Sequence, residues 1–332
     1  MTFALDLQPS RTDMTSLERA ILETLAYSDM FDYPLRLEEL YRFLTVSASI
    51  KELKLCVNKF DQVGSLYGYY FLKGREQIVT FRMRREQISR RAFERAILYG
   101  RILGMLPFVR MVAMTGSLAM HNCDETGDYD YMLVTKTGRV WLARAFALLL
   151  NRIARLFGET ICPNLIISEK VLRWPTRNLY TAREICQMVF ISGEDTLINM
   201  RIANLWLVDY FPNFRCEVIR SEKKASWLFL NLRGFAEFLF QNKFGNILES
   251  WEMNRKIARF IRQEGYGVET IFNADICQGN FDHHGSWALE KYQQILVQLN
   301  LESDCSRAGN DMLSGKLQEQ PSSENFAPGL QS

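Results

Sequence analysis

Asp128 and Asp130 lie two residues apart in the run DYDYMLVT (128–135), whose apolar and β-branched content predicts a strand. Side chains at i and i+2 of a strand share a face, so both carboxylates point one way and Tyr129 and Tyr131 the other. Two carboxylates on one face repel unless something positive sits between them, and hard oxygen ligands suit Mg²⁺ or Mn²⁺. Upstream, Gly116-Ser117 closes the apolar run FVRMVAMT (108–115). Glycine there lets the backbone approach a ligand closely, and a helix starting at that point presents free N–H groups to phosphate. One strand end thus offers a phosphate cradle and the next a metal site. Together they point to metal-assisted phosphoryl or nucleotidyl transfer. Alone, Asp128 and Asp130 read equally as acids on a half-exposed strand, and Gly116-Ser117 as a plain turn. Asp124 and Glu125 read as solvated loop acids and His121 as a loop residue.

The elements that must position these groups follow from pattern. A helix is expected over 86–105, stopped by Gly104 and Pro107, then a buried strand over 108–115. Residues 117–121 read as a short helical turn and 122–127 as a loop. A second strand over 128–135, a helix over 139–157 and a third strand over 160–168 complete the unit. In the 139–157 helix, Arg144, Asn151 and Arg155 fall within about 40° of each other around the axis, and the remainder is almost wholly apolar. Snorkelling arginines explain that stripe. The sharper reading takes Arg144 to triphosphate or to the core carboxylates. Lys136, just past the second strand, is a comparable candidate for phosphate.

The order apolar-Gly-Ser, ten intervening residues, then Asp-apolar-Asp-apolar resembles the signature of the DNA polymerase β-like nucleotidyltransferase superfamily, over Met114–Met132. The element order across 86–168 is similar to that fold too. The wider layout resembles bacterial nucleotidyltransferase-domain proteins of unknown substrate. The resemblance implies that Gly116 and Ser117 bind the triphosphate of an NTP and that Asp128 and Asp130 hold Mg²⁺ (or Mn²⁺) and carry catalysis. It also implies a third carboxylate on the next core strand, as base or further metal ligand. Here the sequence departs: the central polar residue of TICPNLIIS (160–168) is Asn164, whose amide can ligate a metal but cannot act as a base. Glu159 and Glu169 flank that strand and are the alternatives for the third position.

Before this unit, Thr15 and Glu18 form a capping box for a helix over 15–27. LRLEELYRFL (35–44) and SIKELKLCVNKF (49–60) read as two further helices. LYGYYFLKG and QIVTFRM, separated by GRE, read as a strand pair. Three short helices and a hairpin are the element order of a winged helix, a docking module or a nucleic-acid reader. Residues 73–110 hold ten Lys and Arg against three Glu, a local charge of +7. Such a strip is either a solvated helix face or a contact for nucleic acid. After 175 the chain reads as helical, with TAREICQMVF (181–190) capped by Thr181 and Glu184. The expected fold class is α+β: a nucleotidyltransferase-type mixed sheet flanked by helices, an N-terminal winged-helix-like domain and a helical C-terminal region. The expected division is 1–14 flexible, 15–85 winged-helix-like, 86–175 nucleotidyltransferase core, 176–301 helical and 302–332 a disordered tail.

Over 332 residues, 48% apolar and 23% charged side chains describe a globular chain, and a net charge of +2 names no partner. Seven scattered cysteines without a C-x-x-C pair argue against a disulfide framework and against structural zinc. With no basic, apolar leader and no uncharged run near about 20 residues, a cytoplasmic protein without a membrane span is expected. The leading functional expectation is a metal-dependent nucleotidyltransferase moving an NMP from an NTP to a hydroxyl of an unknown acceptor. The alternative is a catalytically degenerate version that binds nucleotide or nucleic acid in a regulatory role.

Overall fold

Thr15 accepts a hydrogen bond from Glu18 N while its own N–H donates to Glu18 Oε2, which starts α1 (Ser16–Asp29). The computed structural model describes residues 14–301 apart from 126, 175, 216–226 and 268. The expectations for residues 1–13 and for the 302–332 tail, and Cys216 and Cys305, lie outside the described residues. After α1 come β1 (Leu35–Arg36), α2 (Leu37–Arg42), α3 (Ile50–Val57), β2 (Val63–Leu66) and β3 (Tyr69–Leu72). A second capping box, Ser49 with Glu52, starts α3. The strands form an antiparallel sheet in the order β1-β3-β2. Tyr67 and Gly68, at φ +53° and +80°, turn β2 into β3, and φ above zero at both central residues is what a tight hairpin of the right twist requires. Ile21, Leu22, Leu25, Leu35, Leu40 and Leu53 bury the helices and sheet against one another.

The segment QIVTFRM is not the second strand of the pair. It opens α4 (Gln77–Met105), which runs unbroken from this sheet into the rest of the molecule. Ile78, Val79, Arg82 and Ser89 are buried while Thr80, Phe81, Met83 and Arg84 are exposed. That is a helical repeat, and it overrides the β-branched composition.

Next come β4 (Val109–Met114), α5 (Gly116–Ala119), β5 (Tyr129–Thr135), α6 (Val140–Arg155) and β6 (Ile161–Ser168), each close to its expected bounds. The remainder comprises α7 (Leu179–Gln187), β7 (Val189–Ser192), α8 (Glu194–Ala203), α9 (Leu207–Tyr210), α10 (Trp227–Phe240), α11 (Lys243–Phe260), β8 (Thr270–Phe272), β9 (Ile276–Gly279) and α12 (His284–Gln298). The molecule is a mixed α+β structure. Residues beyond 175 do not form a purely helical unit, because they supply three strands of the central six-stranded sheet, ordered β7-β4-β5-β6-β9-β8. Among the described residues only β5 and β6 pair in parallel in it. α12 returns to pack Ala288, Tyr292 and Leu296 among the α1 and α2 residues.

Strand alternation sorts the sheet into two faces. Val112, Met114, Tyr129, Tyr131, Leu133 and Ile166 face α4 and α6. Met111, Ala113, Met132, Val134, Ile167 and Phe190 form the opposite face, where Met200 of α8 and Ile185 of α7 pack. Among the described residues no helix is long and apolar enough to cross a membrane.

Candidate functional site

The even-numbered residues of β5 place Asp130 on the Met132–Val134 face, away from α6, with Asp128 just ahead of the strand. The register supplies the neighbours. Met114 pairs with Tyr131 across the antiparallel β4–β5 ladder, and Thr115 N donates to Asp130 O at 3.0 Å. On the parallel side Asp130 pairs with Cys162, but Met132 pairs with Leu165, so β6 carries one extra residue between them. Pro163, which lacks an N–H for the ladder, sits in this bulge. The bulge brings two β6 side chains to Asp130. Ligand atoms of Asp128, Asp130 and Cys162 lie within 4.8 Å of one another, and Asn164 Nδ2 donates to Asp130 Oδ1 at 3.4 Å.

Gly116 closes the site from the β4 side. It has φ +67°, and a Cβ built there would stand 2.4 Å from Asp130 Oδ2. Any larger residue would have to displace the carboxylate. The hydroxyl of Thr115 is buried without a hydrogen-bond partner, a polar group left for a ligand to satisfy. Ser117 stays in the short α5 turn, its carbonyl accepting from Asn122 N at 2.9 Å.

Burial, and then the charge of Asp128, pushes the Asp130 carboxyl up to about 7, against the opposing hydrogen bond from the Cys162 thiol. Burial and the same two aspartates push that thiol up to about 12, so it stays protonated and donates to them. Two carboxylates strained by their own repulsion are what a divalent cation relieves. Mg²⁺ commonly takes one or two protein carboxylates and completes its shell with water and substrate phosphate, so Asp128 and Asp130 fit it. A protonated thiol does not suit that ion, and Cys162 fits the role of hydrogen-bond donor to its ligands.

A further carboxylate comes from outside the strands. Glu184 on α7 is pushed up to about 7 by burial and then by the charge of Asp130, while Gln187 Nε2 donates to its Oε1. Its position in the sequence suggests a cap, but Asn178 caps α7 by accepting from Thr181 N, so Thr181 lies inside the helix and Glu184 further along it. The acid's role depends on where α7 lands on the sheet, which no local pattern encodes.

The remaining candidates lie elsewhere. Glu159 accepts from Tyr129 Oη and pairs with Arg95, on the opposite sheet face. Glu169 N donates to Thr135 O at 2.8 Å, which fixes that acid at the far end of β5. Lys136 follows Thr135 there, about 20 Å along the strand from Asp130. Arg144 belongs to α6, behind the sheet, with its guanidinium 5.1 Å from the Phe260 ring centre. His121 packs its ring 4.7 Å from Phe93.

Five of the ten basic residues of the strip are paired with carboxylates. Arg75 pairs with Asp29 and Asp32, Arg84 with Glu125, Arg95 with Glu159, and Arg110 with Glu237. Arg82 is fully buried between Glu39 and Glu86, over the ring of Tyr33. All of these carboxylates but Glu86 come from outside the strip, so the local sum of +7 overstates the charge presented to a partner. No protein-family model matches the chain, and neither a curated protein nor a solved structure matches it.

Proposed function

We propose that the protein is a metal-dependent nucleotidyltransferase that moves an NMP from an NTP to a hydroxyl of an acceptor. The observation that carries the reading is the close approach of Gly116 to Asp130, with Asp128 and Cys162 gathered round the same carboxylate. It matches the Gly-Ser and Asp-x-Asp spacing that resembles the polymerase β-like superfamily. In this reading the small three-helix, three-stranded unit is the winged-helix-like appendage and the six-stranded sheet the catalytic core.

Asp128 and Asp130 would hold Mg²⁺ or Mn²⁺, which when bound neutralises triphosphate charge and stabilises the charge that develops on the phosphoryl oxygens. Gly116 lets the Asp130 carboxylate lie against the backbone at the end of β4, where the Thr115 and Ser117 region would offer hydroxyls and backbone N–H groups to a phosphate. The acceptor oxygen forms a bond to Pα, the bond from Pα to the bridging oxygen breaks, and pyrophosphate leaves. The acceptor's proton needs a base. Glu184 of α7, near enough for the charge of Asp130 to raise its carboxyl, is the candidate in this reading. Cys162 and Asn164 orient Asp130 by donating to it.

A second reading has one observation in its favour. The β6 residues beside Asp130 are a thiol and an amide, neither able to take a proton from the acceptor at neutral pH. On that reading the core binds nucleotide without turnover. Calorimetric titration with MgATP and MgGTP, on the wild type and on Asp128→Ala/Asp130→Ala, tests the site. Binding lost in the double variant supports it, and a wild type that binds neither nucleotide overturns it. Release of pyrophosphate in the presence of an acceptor then separates the enzyme from the binding protein.

A further inference from the structure

The polar stripe of α6 faces α11. Arg144, Asn151, Arg152 and Arg155 from α6 and Lys256, Arg259 and Phe260 from α11 line a cleft of about 340 Å³. Five of these side chains are cationic and none is acidic. Asn151 is committed to the fold, its Oδ1 accepting from Ile161 N at 3.0 Å.

The cations are not neutralised by the protein. Among the described residues Arg144, Arg152, Arg155 and Arg259 have no carboxylate partner, and Lys256 reaches only Glu252, at 3.9 Å. Glu252 is itself buried and paired more closely with Arg255, at 2.5 Å. Arg144 Nη1 is buried without a hydrogen-bond partner. Burial, and then the charge of Arg144, lowers the pKa of Lys256.

We infer that the cleft between α6 and α11 binds a compact ligand carrying two or three linked phosphates, at a site separate from that of Asp128 and Asp130. Guanidinium forks match phosphate oxygens in pairs, and the negative charge of several linked phosphates offsets the repulsion among the cations. The volume is at the small end of ligand pockets, sufficient for an oligophosphate. Nucleic acid fits less well, because such sites stack bases on free aromatic faces. The ring of Phe260 already carries the Arg144 guanidinium at 5.1 Å and the stacked ring of Phe272 at 4.7 Å. α6 lies behind the sheet, so the inference does not depend on the nucleotidyltransferase reading.

The test is calorimetric titration of the full chain with sodium tripolyphosphate in EDTA, where no divalent ion can recruit phosphate to the aspartates. The expected result is one site per chain. Arg155→Glu/Arg259→Glu, both exposed, should weaken it at least about tenfold, and Asp128→Asn/Asp130→Asn should leave it unchanged. ATP in EDTA, binding through its triphosphate, should compete. Pyrophosphate and inorganic phosphate should bind in falling order, which separates linked phosphates from a single one. No binding in EDTA, unaltered binding in the arginine variant, or loss in the aspartate variant overturns the inference. Citrate binding as tightly as tripolyphosphate would reduce the cleft to unselective charge, and single-stranded DNA binding more tightly per phosphate would assign it to nucleic acid. Either result also overturns it.

Discussion

Gly116 and Asp130 are packed so closely that the space a Cβ would need, 2.4 Å from Asp130 Oδ2, is taken by the carboxylate. Gly116 also has φ +67°, where an L residue is strained by about 1 kcal/mol or more. Gly116→Ala should therefore act twice. It should lower Tm by about 2–6 °C, and by moving Asp130 it should weaken Mn²⁺ binding at least about tenfold. Electron paramagnetic resonance titration of Mn²⁺ reads the second effect. An unchanged Mn²⁺ affinity would remove Asp130 from the metal site.

Asp130 is held at a cost to the fold. A carboxyl raised from its ordinary 3.8 to about 7 contributes stability that is complete below the unfolded value and lost as pH rises through about 7. Above pH 7 the metal-free protein carries two close carboxylates. Asp130→Asn, which removes one charge and keeps the shape, should stabilise the metal-free protein by about 1–3 kcal/mol at pH 8. At pH 4 it should have little effect. Mn²⁺ should stabilise the wild type at pH 8 and leave the variant unmoved. Thermal melts at the two pH values with and without Mn²⁺ decide it, and a variant less stable than wild type at pH 8 would contradict the like-charge account.

The strands around Asp128 and Asp130 were legible because their signals are local. An apolar run ending at Gly116 and an alternating run after Asp128 fix two strands and the shared face. The bulge at Pro163 was not, and it decides which residues of β6 meet Asp130. Strict alternation from Asn164 already selects Cys162 as its face-mate, yet cysteines scattered without a motif read as small apolar core residues. Glu184 escaped for a different reason: its neighbours are chosen by tertiary packing of α7. β7 and β8 are too short, at four and three residues, to carry a period. QIVTFRM shows the converse error, in which composition suggested a strand while burial at Ile78, Val79 and Arg82 follows the helix.

If Glu184 takes the acceptor's proton, Glu184→Gln keeps size and polarity but removes the base. Nucleotide binding should survive within about threefold, whereas turnover should fall by about 10²–10⁴. The loss should come with a change in shape: the acidic limb of the wild-type rate profile, near the carboxyl's value of about 7, should flatten. A variant that retains turnover and the wild-type limb would return Glu184 to a packing role. Loss of nucleotide binding together with turnover would point to misplacement of Asp130 instead.

Glu237 of α10 fastens that helix to the edge of the core. It accepts from Phe108 N at 2.8 Å and from Arg110 Nη1 at 3.0 Å, while Arg233 Nε donates to it at 3.1 Å. Burial opposes these bonds, but the donors prevail and hold the carboxyl down near 2. A depressed carboxyl contributes stability that is present above its unfolded value of about 4.3 and lost as pH falls towards 2. With the side chain 14% exposed, solvent screening reduces the contribution to about 1–2 kcal/mol. Glu237→Gln should therefore destabilise the protein by about that amount at pH 7. The gap to wild type should close steadily between about pH 4.5 and 2, because the wild type loses there what the variant never had. Urea unfolding at stepped pH measures the gap, and one that stays constant down to pH 2 would mean the helix is held by packing instead of by this carboxylate.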